Sequence, residues 1–251
     1  MKKMRIVMAN DPHRRAPALF GRAFRNTIPK SKPMNKLRIL IADDHDVMRE
    51  GTRAVIERQP GWEVCGIACT GREAVAQAIQ LQPDIVIMDM SMPDLNGLDA
   101  AVQIKRRLPR TEVLMFTAHE TDELIREVFE VGVKSFIFKS QAHTYLLDAI
   151  QSLAQHKPFF TSKVSETLFA DILNRSAPNS NGSRTGQRLS AREREIVQLL
   201  SEGASNKEVA DTLGISVRTA ETHRASILRK LGLDSIASLV RYAIRNKIIE
   251  A

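Results

Sequence analysis

The chain has 251 residues, 43% of them hydrophobic but only 5% aromatic, and a formal net charge of +8. That length allows one large domain or two ordinary ones with real cores. No stretch approaches the roughly 18 apolar residues of a membrane-spanning helix, and no signal-peptide core is present, which points to a soluble protein of the cytoplasm. The charge is not spread along the chain. Residues 1–34 carry nine Lys and Arg against one acid, Asp11, and this accounts for the whole excess, so the high pI says nothing about the remainder. With no sustained period and little apolar surface to bury, residues 1–35 read as a disordered basic extension. Met34 offers an alternative start, because Met34-Asn35-Lys36 leads directly into the first strand.

From Leu37 the pattern is regular. Leu37–Ala42 is an apolar strand followed by Asp43-Asp44-His45-Asp46, and Val47–Gln59 reads as a helix with Val47, Gly51, Ala54 and Val55 on one face. Strands are then expected over Trp62–Cys69, Ile85–Met88, Glu112–Phe116 and Lys134–Phe138, alternating with helices over Arg72–Leu81, Gly97–Arg107, Thr121–Val131 and Ala142–Ala154. Strands alternating with helices of about ten residues imply right-handed βαβ units and a parallel sheet. The expected fold is α/β, a flavodoxin-like, doubly wound, five-stranded parallel sheet over residues 36–156. Cys65 and Cys69 have no Cys or His partner at metal spacing, and buried reduced thiols are expected.

Residues 157–187 comprise a helical segment over Phe159–Asn174, with Val164, Leu168 and Ile172 four apart, and a Ser-, Asn- and Gly-rich linker over Ser176–Gly186. Beyond it, residues 188–251 are helical in period throughout and form a second, small all-α domain. Ser190 followed by Glu193 is a capping box opening a helix with Ile196, Val197 and Leu200 on its apolar face. Asn206 starts a short helix, Gly214-Ile215-Ser216 forms a turn, Val217–Leu231 is a longer polar helix, and Ser235–Arg245 is the last. Two short helices, a Gly-containing turn and a longer polar helix outline a helix-turn-helix. Eleven basic residues against eight acids in this domain would not by themselves indicate nucleic acid.

In a parallel sheet every strand's carboxyl end lies on one side, where such sheets bind ligands. Asp43 and Asp44, Asp89, Thr117 and Lys139 are brought together there by strands one, three, four and five. Grouped carboxylates repel one another, an arrangement that persists most readily around a cation. Hard oxygen ligands suit Mg²⁺, which shares oxygens with a phosphoryl group. Lys139 supplies positive charge for that group and Thr117 a hydrogen bond. Asp89 would be the carboxylate nucleophile. The motifs Ile-Ala-Asp-Asp-His, Ile-Val-Ile-Met-Asp-Met-Ser-Met-Pro, Leu-Met-Phe-Thr-Ala and Phe-Ile-Phe-Lys-Ser resemble the response-regulator receiver family over residues 37 to 155. The resemblance implies Asp89 as phosphoacceptor, with Asp44 and Asp89 holding Mg²⁺ directly, Asp43 acting through water and Ser91 offering its backbone carbonyl. It also implies a switch in which Thr117 and Phe136 move inward, the alternative for Phe136 being plain core. Ser140 departs from the family, which usually has Pro after this Lys, often in a cis peptide.

Leu-Ser-Ala-Arg-Glu-Arg-Glu from Leu189, Gly-Ala-Ser-Asn-Lys-Glu-Val-Ala from Gly203, Ile-Ser-Val-Arg-Thr-Ala-Glu-Thr-His-Arg from Ile215 and Arg-Lys-Leu-Gly from Arg229 resemble the LuxR-type helix-turn-helix. The resemblance implies that the helix from Val217 enters a DNA major groove, with Lys207, Arg218, Thr219, Glu221, Thr222, His223, Arg224 and Ala225 at the contact. Glu221 stands where family members often have Lys; a carboxylate accepts from cytosine but repels phosphate. The two domains in this order resemble the NarL/FixJ response regulators. That implies a transcription factor, not an enzyme beyond its own phosphoryl transfer and dephosphorylation, served by a sensor histidine kinase and dimeric when phosphorylated. Two other readings stay open: a receiver that acts without phosphorylation, and a metal-dependent phosphatase on the same sheet edge.

Overall fold

The computed structural model describes residues 36–118, 121–175 and 189–249. The basic extension and the Ser-, Asn- and Gly-rich linker read from the sequence lie outside the described residues.

The strands are short and apolar. β1 (Leu37–Ala42), β2 (Trp62–Ala68), β3 (Ile85–Met88), β4 (Glu112–Thr117) and β5 (Ser135–Phe138) form a parallel sheet in the order β2-β1-β3-β4-β5. Side chains alternate between its faces. Leu40, Val86, Met88, Val113, Met115 and Phe136 pack on one side against α2 (Gly71–Leu81), α3 (Gly97–Arg107) and α4 (Asp122–Glu130). Ile39, Ile41, Ile85, Ile87, Leu114 and Ile137 pack on the other against α1 (Asp46–Glu57) and α5 (Ala142–Ala154). Helices on both faces are the doubly wound arrangement the alternation predicts.

Two sequence expectations are corrected. The sheet has six strands, because Phe159–Phe160 is not helical but a short β6 pairing in parallel with β5, Phe159 opposite Ser135 and Phe160 opposite Phe136. Pro158 disfavours helical backbone at the preceding residue. The two rings then point to opposite faces, Phe159 toward Tyr145 and Phe160 toward Phe129. Helix α6 (Ser162–Arg175) follows. The second correction is the face of α1. Val47 is 83% exposed, and Gly51 and Ala54 are also exposed. The buried stripe is Met48, Thr52, Val55 and Ile56. Both stripes have helical spacing, but Gly51 and Ala54 offer little surface to bury, whereas Ile56 is fully enclosed.

The carboxyl-terminal domain packs α7 (Ala191–Ser201), α8 (Asn206–Leu213), α9 (Val217–Leu231) and α10 (Ile236–Arg245) around Ile196, Val197, Leu200, Val209, Ile227 and Leu239. Ser190 and Ser205 each form a full capping box, with Glu193 and Glu208. Gly214 and Gly232 end α8 and α9 in the left-handed conformation that glycine adopts without a Cβ clash.

Candidate functional site

Adjacency follows from register. Ala42 on β1 pairs with Met88 on β3, so the residues after them, Asp43 and Asp89, leave the sheet side by side. Their backbones extend the ladder, Asp43 N donating to Ala68 O at 3.1 Å and Asp89 N to Ala42 O at 2.8 Å. Thr117, at the end of β4, is fully buried, and Lys139 follows the end of β5. The Lys139 ammonium lies 2.8 Å from Asp89 Oδ2 and 2.7 Å from Asp43 Oδ2, with all three side chains largely enclosed. The sequence-predicted strand ends therefore converge.

Burial pushes the Asp89 carboxyl up to about 6, against the opposing pull of the Lys139 charge and hydrogen bond; the neighbouring Asp43 adds to the rise. Burial alone would lower Lys139, but Asp89 and Asp43 outweigh it and hold the ammonium above its ordinary value. Asp89 Oδ1 also accepts from Met90 N at 2.7 Å. Among the described residues, buried Asp43 Oδ2 has no hydrogen bond of good geometry and only the ammonium beside it, a carboxylate oxygen suited to a cation.

One oxygen or nitrogen from each of Asp43, Asp44, His45 and Asp89 lies within 4.8 Å of the others. Hard carboxylate oxygens at this spacing fit a small divalent cation such as Mg²⁺. Asp44 is more open than Asp43, and His45 Nδ1 lies 2.8 Å from Asp44 Oδ1 and 3.3 Å from Asp43 Oδ1. His45 thus joins the carboxylates at this edge. Its signal in the sequence is its place between paired carboxylates, where its backbone N–H donates to Asp43 Oδ1 at 2.9 Å.

Ser91 is half-buried two residues beyond Asp89. The segment then turns back into α3, and Gly97 N donates to Met90 O at 2.8 Å. A Cβ on Gly97 would lie 1.8 Å from Asp89 O, so this helix start needs glycine to approach the acidic site. Phe136 is inside the core, edge-on to Phe138 with centroids 5.1 Å apart. Lys139-Ser140-Gln141 forms a 3-10 turn, no described peptide bond is cis, and with Ser140 in this position Lys139 lies on the carboxylates.

On α9, Ala220 and Ile227 are buried, while Arg218, Glu221, Thr222 and Ala225 are exposed along the opposite face. Thr219 and Lys207 are exposed as well, and His223 and Arg224 flank the buried stripe. Thr219 Oγ1 lies 2.7 Å from Ser216 Oγ within the helix cap, and Thr222 Oγ1 donates to Arg218 O at 2.8 Å. Both hydroxyls have local partners and still face solvent.

The two domains meet through polar side chains of α7. Asp99 on α3 is 2% exposed and receives Arg194 of α7 through both Nη2 at 2.8 Å and Nε at 3.2 Å. Arg72 on α2 donates to Glu195 at 2.7 Å, and Gln198 reaches the backbone of the segment after Asp89. Helical periodicity identifies the polar face of α7 but not what that face meets.

Residues 39–151 match the response regulator receiver domain, and residues 187–243 match the luxR family of bacterial regulatory proteins. Oxygen regulatory protein NreC of Staphylococcus carnosus is 35% identical over 216 residues, covering 85% of this chain and 100% of that protein. Transcriptional regulatory protein LiaR of Bacillus subtilis is 33% identical, covering 85% and 99%. Among solved structures, RcsB of Salmonella enterica serovar Typhimurium bound to promoter P1flhDC in the presence of the phosphomimetic BeF₃⁻ matches with a TM-score of 0.52 at 26% identity, covering 83% of this chain and 98% of that one. No described helix is long and apolar enough to cross a membrane.

Proposed function

From the premise that the chain belongs to the NarL/FixJ family of two-component response regulators, we propose that Asp89 is its phosphoacceptor and the input of a DNA-binding switch. The observation that carries this assignment is the buried Lys139 ammonium held between the Asp89 and Asp43 carboxylates at the end of β3. A carboxylate oxygen of Asp89 attacks the phosphorus of a phosphodonor, physiologically the phosphohistidine of a sensor kinase. The bond from phosphorus to the donor atom breaks, and an acyl phosphate forms. Water later cleaves it. The chain's catalysis is confined to this self-modification and its reversal.

Asp43, Asp44, Asp89 and the Ser91 carbonyl would hold Mg²⁺, which supplies charge neutralisation at the phosphoryl oxygens. Lys139 gives up part of its ion pair to hold a phosphoryl oxygen, and the Thr117 hydroxyl donates to another. Phe136 follows Thr117 and shifts the balance between two conformers. The phosphorylated protein, in the cytoplasm, dimerises on paired half-sites. There Glu221, Thr222 and Ala225 face base edges, while Lys207, Arg218, Thr219, His223 and Arg224 hold phosphates or the helix start. The test is labelling by a radioactive small phosphodonor with Mg²⁺. Wild type takes up label and Asp89→Asn does not; equal labelling of the two would remove the assignment.

A further inference from the structure

Three polar side chains along α7, of which Gln198 is buried, Arg194 half-buried and Glu202 exposed, face the receiver. Arg194, Gln198 and Glu202 are spaced by four, so they stack along one side of the helix and its carboxyl end. All three engage the receiver. Gln198, 1% exposed, donates from Nε2 to Met92 O at 2.8 Å and accepts at Oε1 from Asn96 N at 2.7 Å. Its Nε2 also donates to Glu202 Oε1 at 2.8 Å, and Glu202 Oε2 accepts from Asp94 N at 3.3 Å. Arg194 holds Asp99, which in turn accepts from Asn96 Nδ2 at 2.9 Å.

Met92, Asp94 and Asn96 belong to the one segment that begins at Asp89 and ends at the start of α3. Buried backbone groups must find partners. Here the partners of Met92 O, Asp94 N and Asn96 N come from the DNA-binding domain. The same segment contains Ser91, and its Met90, Met92 and Leu95 are almost fully buried. Asp89 itself is 3% exposed. A phosphodonor can reach that carboxylate only if its surroundings yield, and hydrogen bonds that tie the segment to α7 oppose this. The DNA-reading face takes no part in the contact: Arg218, Glu221, Thr222 and Ala225 remain exposed.

We propose that Gln198, a residue of the DNA-binding domain, is a positioning residue of the phosphorylation site, and that docking of α7 restrains the Met92–Asn96 segment and slows phosphoryl transfer to Asp89. What docking controls is the chemistry of the acceptor, not exposure of the recognition helix. Coupling between sites is reciprocal, so a phosphoryl group on Asp89 in turn favours release of α7. This inference rests on Asp89 being the phosphoacceptor.

The experiment uses the full chain with radioactive acetyl phosphate and Mg²⁺, following the initial rate of labelling, with thermal unfolding as a control for folding. Gln198→Met keeps the volume of the side chain but loses both hydrogen bonds to the segment. Arg194→Ala loosens docking without touching the segment itself. Both are expected to label about five- to tenfold faster than wild type, the lower part of the usual range for coupling between sites. The double variant should be no faster than the quicker single one, since both release the same clamp. Wild-type or slower labelling of both folded variants, with Asp89→Asn unlabelled, overturns the clamp and leaves the acceptor assignment standing. If Asp89→Asn labels like wild type, the acceptor assignment fails and the clamp falls with it.

Discussion

Burial raises the Asp89 carboxyl to about 6 even though the Lys139 ammonium pulls against it. An acid whose pKa in the folded protein lies above its ordinary value favours the fold most when protonated. That contribution is complete below the ordinary carboxylate range and is lost as the pH rises through about 6. A divalent cation held by Asp43, Asp44 and Asp89 would compete with the same proton. Mg²⁺ is therefore expected to raise the unfolding temperature clearly at about pH 7.5 and much less at about pH 5, through mass action on the folded state. Asp89→Asn should lose most of the rise. Thermal scans with and without Mg²⁺ at the two pH values check this, and a Mg²⁺ effect independent of pH would count against the ligand set. Gly97 is the second residue-scale test. Because an added Cβ would meet Asp89 O, Gly97→Ala should cost about 1–3 kcal/mol in chemical denaturation. It should also slow labelling of Asp89 by about tenfold or more, since a small displacement of a reacting group is costly. Unaltered stability and labelling would show that the close approach is dispensable.

At the scale of elements, the strands and the chemistry at their ends were legible because apolar β-branched runs and strict alternation leave few choices. Once the sheet is parallel, Asp43, Asp89, Thr117 and Lys139 must share an edge. Helix faces were less legible where two stripes compete. On α1 the sequence admits Val47, Gly51 and Ala54 or Met48, Thr52 and Ile56, and only packing against the sheet decides. Ile56→Ala should cost about 2–5 kcal/mol by emptying a fully buried site, whereas Val47→Ala should stay within about 0.5 kcal/mol. Urea denaturation of the two distinguishes the faces, and similar costs would contradict the buried stripe. The pair Phe159-Phe160 was misread because helical spacing among later residues in α6 masked a two-residue strand that exists only through pairing with β5. On α9, a charge that faces solvent is expected to act on DNA through phosphates. Arg218→Ala should weaken binding to duplex DNA and reduce the salt dependence by about one ion per site. Arg241→Ala, on α10, should leave that slope unchanged, and equal slopes for all three proteins would remove Arg218 from the contact.

At the scale of the whole molecule, the two folded regions are joined by more than their linker. Arg194 with Asp99, Arg72 with Glu195, and Gln198 with the Met92–Asn96 segment form a polar interface whose groups are mostly shielded from water. Buried ion pairs of this kind add little net stability, because desolvation offsets attraction, yet removing one partner is costly. Such an interface suits a contact that forms in one state and is given up in another. Nothing in the spacing of α7 indicates its partner, since an amphipathic helix shows only that a polar face exists. The proposed function rests on communication between Asp89 and α9, and DNA affinity measures it directly. Wild type and Asp89→Asn can be titrated by fluorescence anisotropy against duplexes selected from a random pool, each with and without acetyl phosphate and Mg²⁺. Wild-type affinity is expected to rise by about tenfold on treatment, within the usual range for coupled sites, while Asp89→Asn stays at its untreated value. Affinities that do not change with the phosphodonor, or that rise equally in both proteins, would contradict Asp89 as the switch.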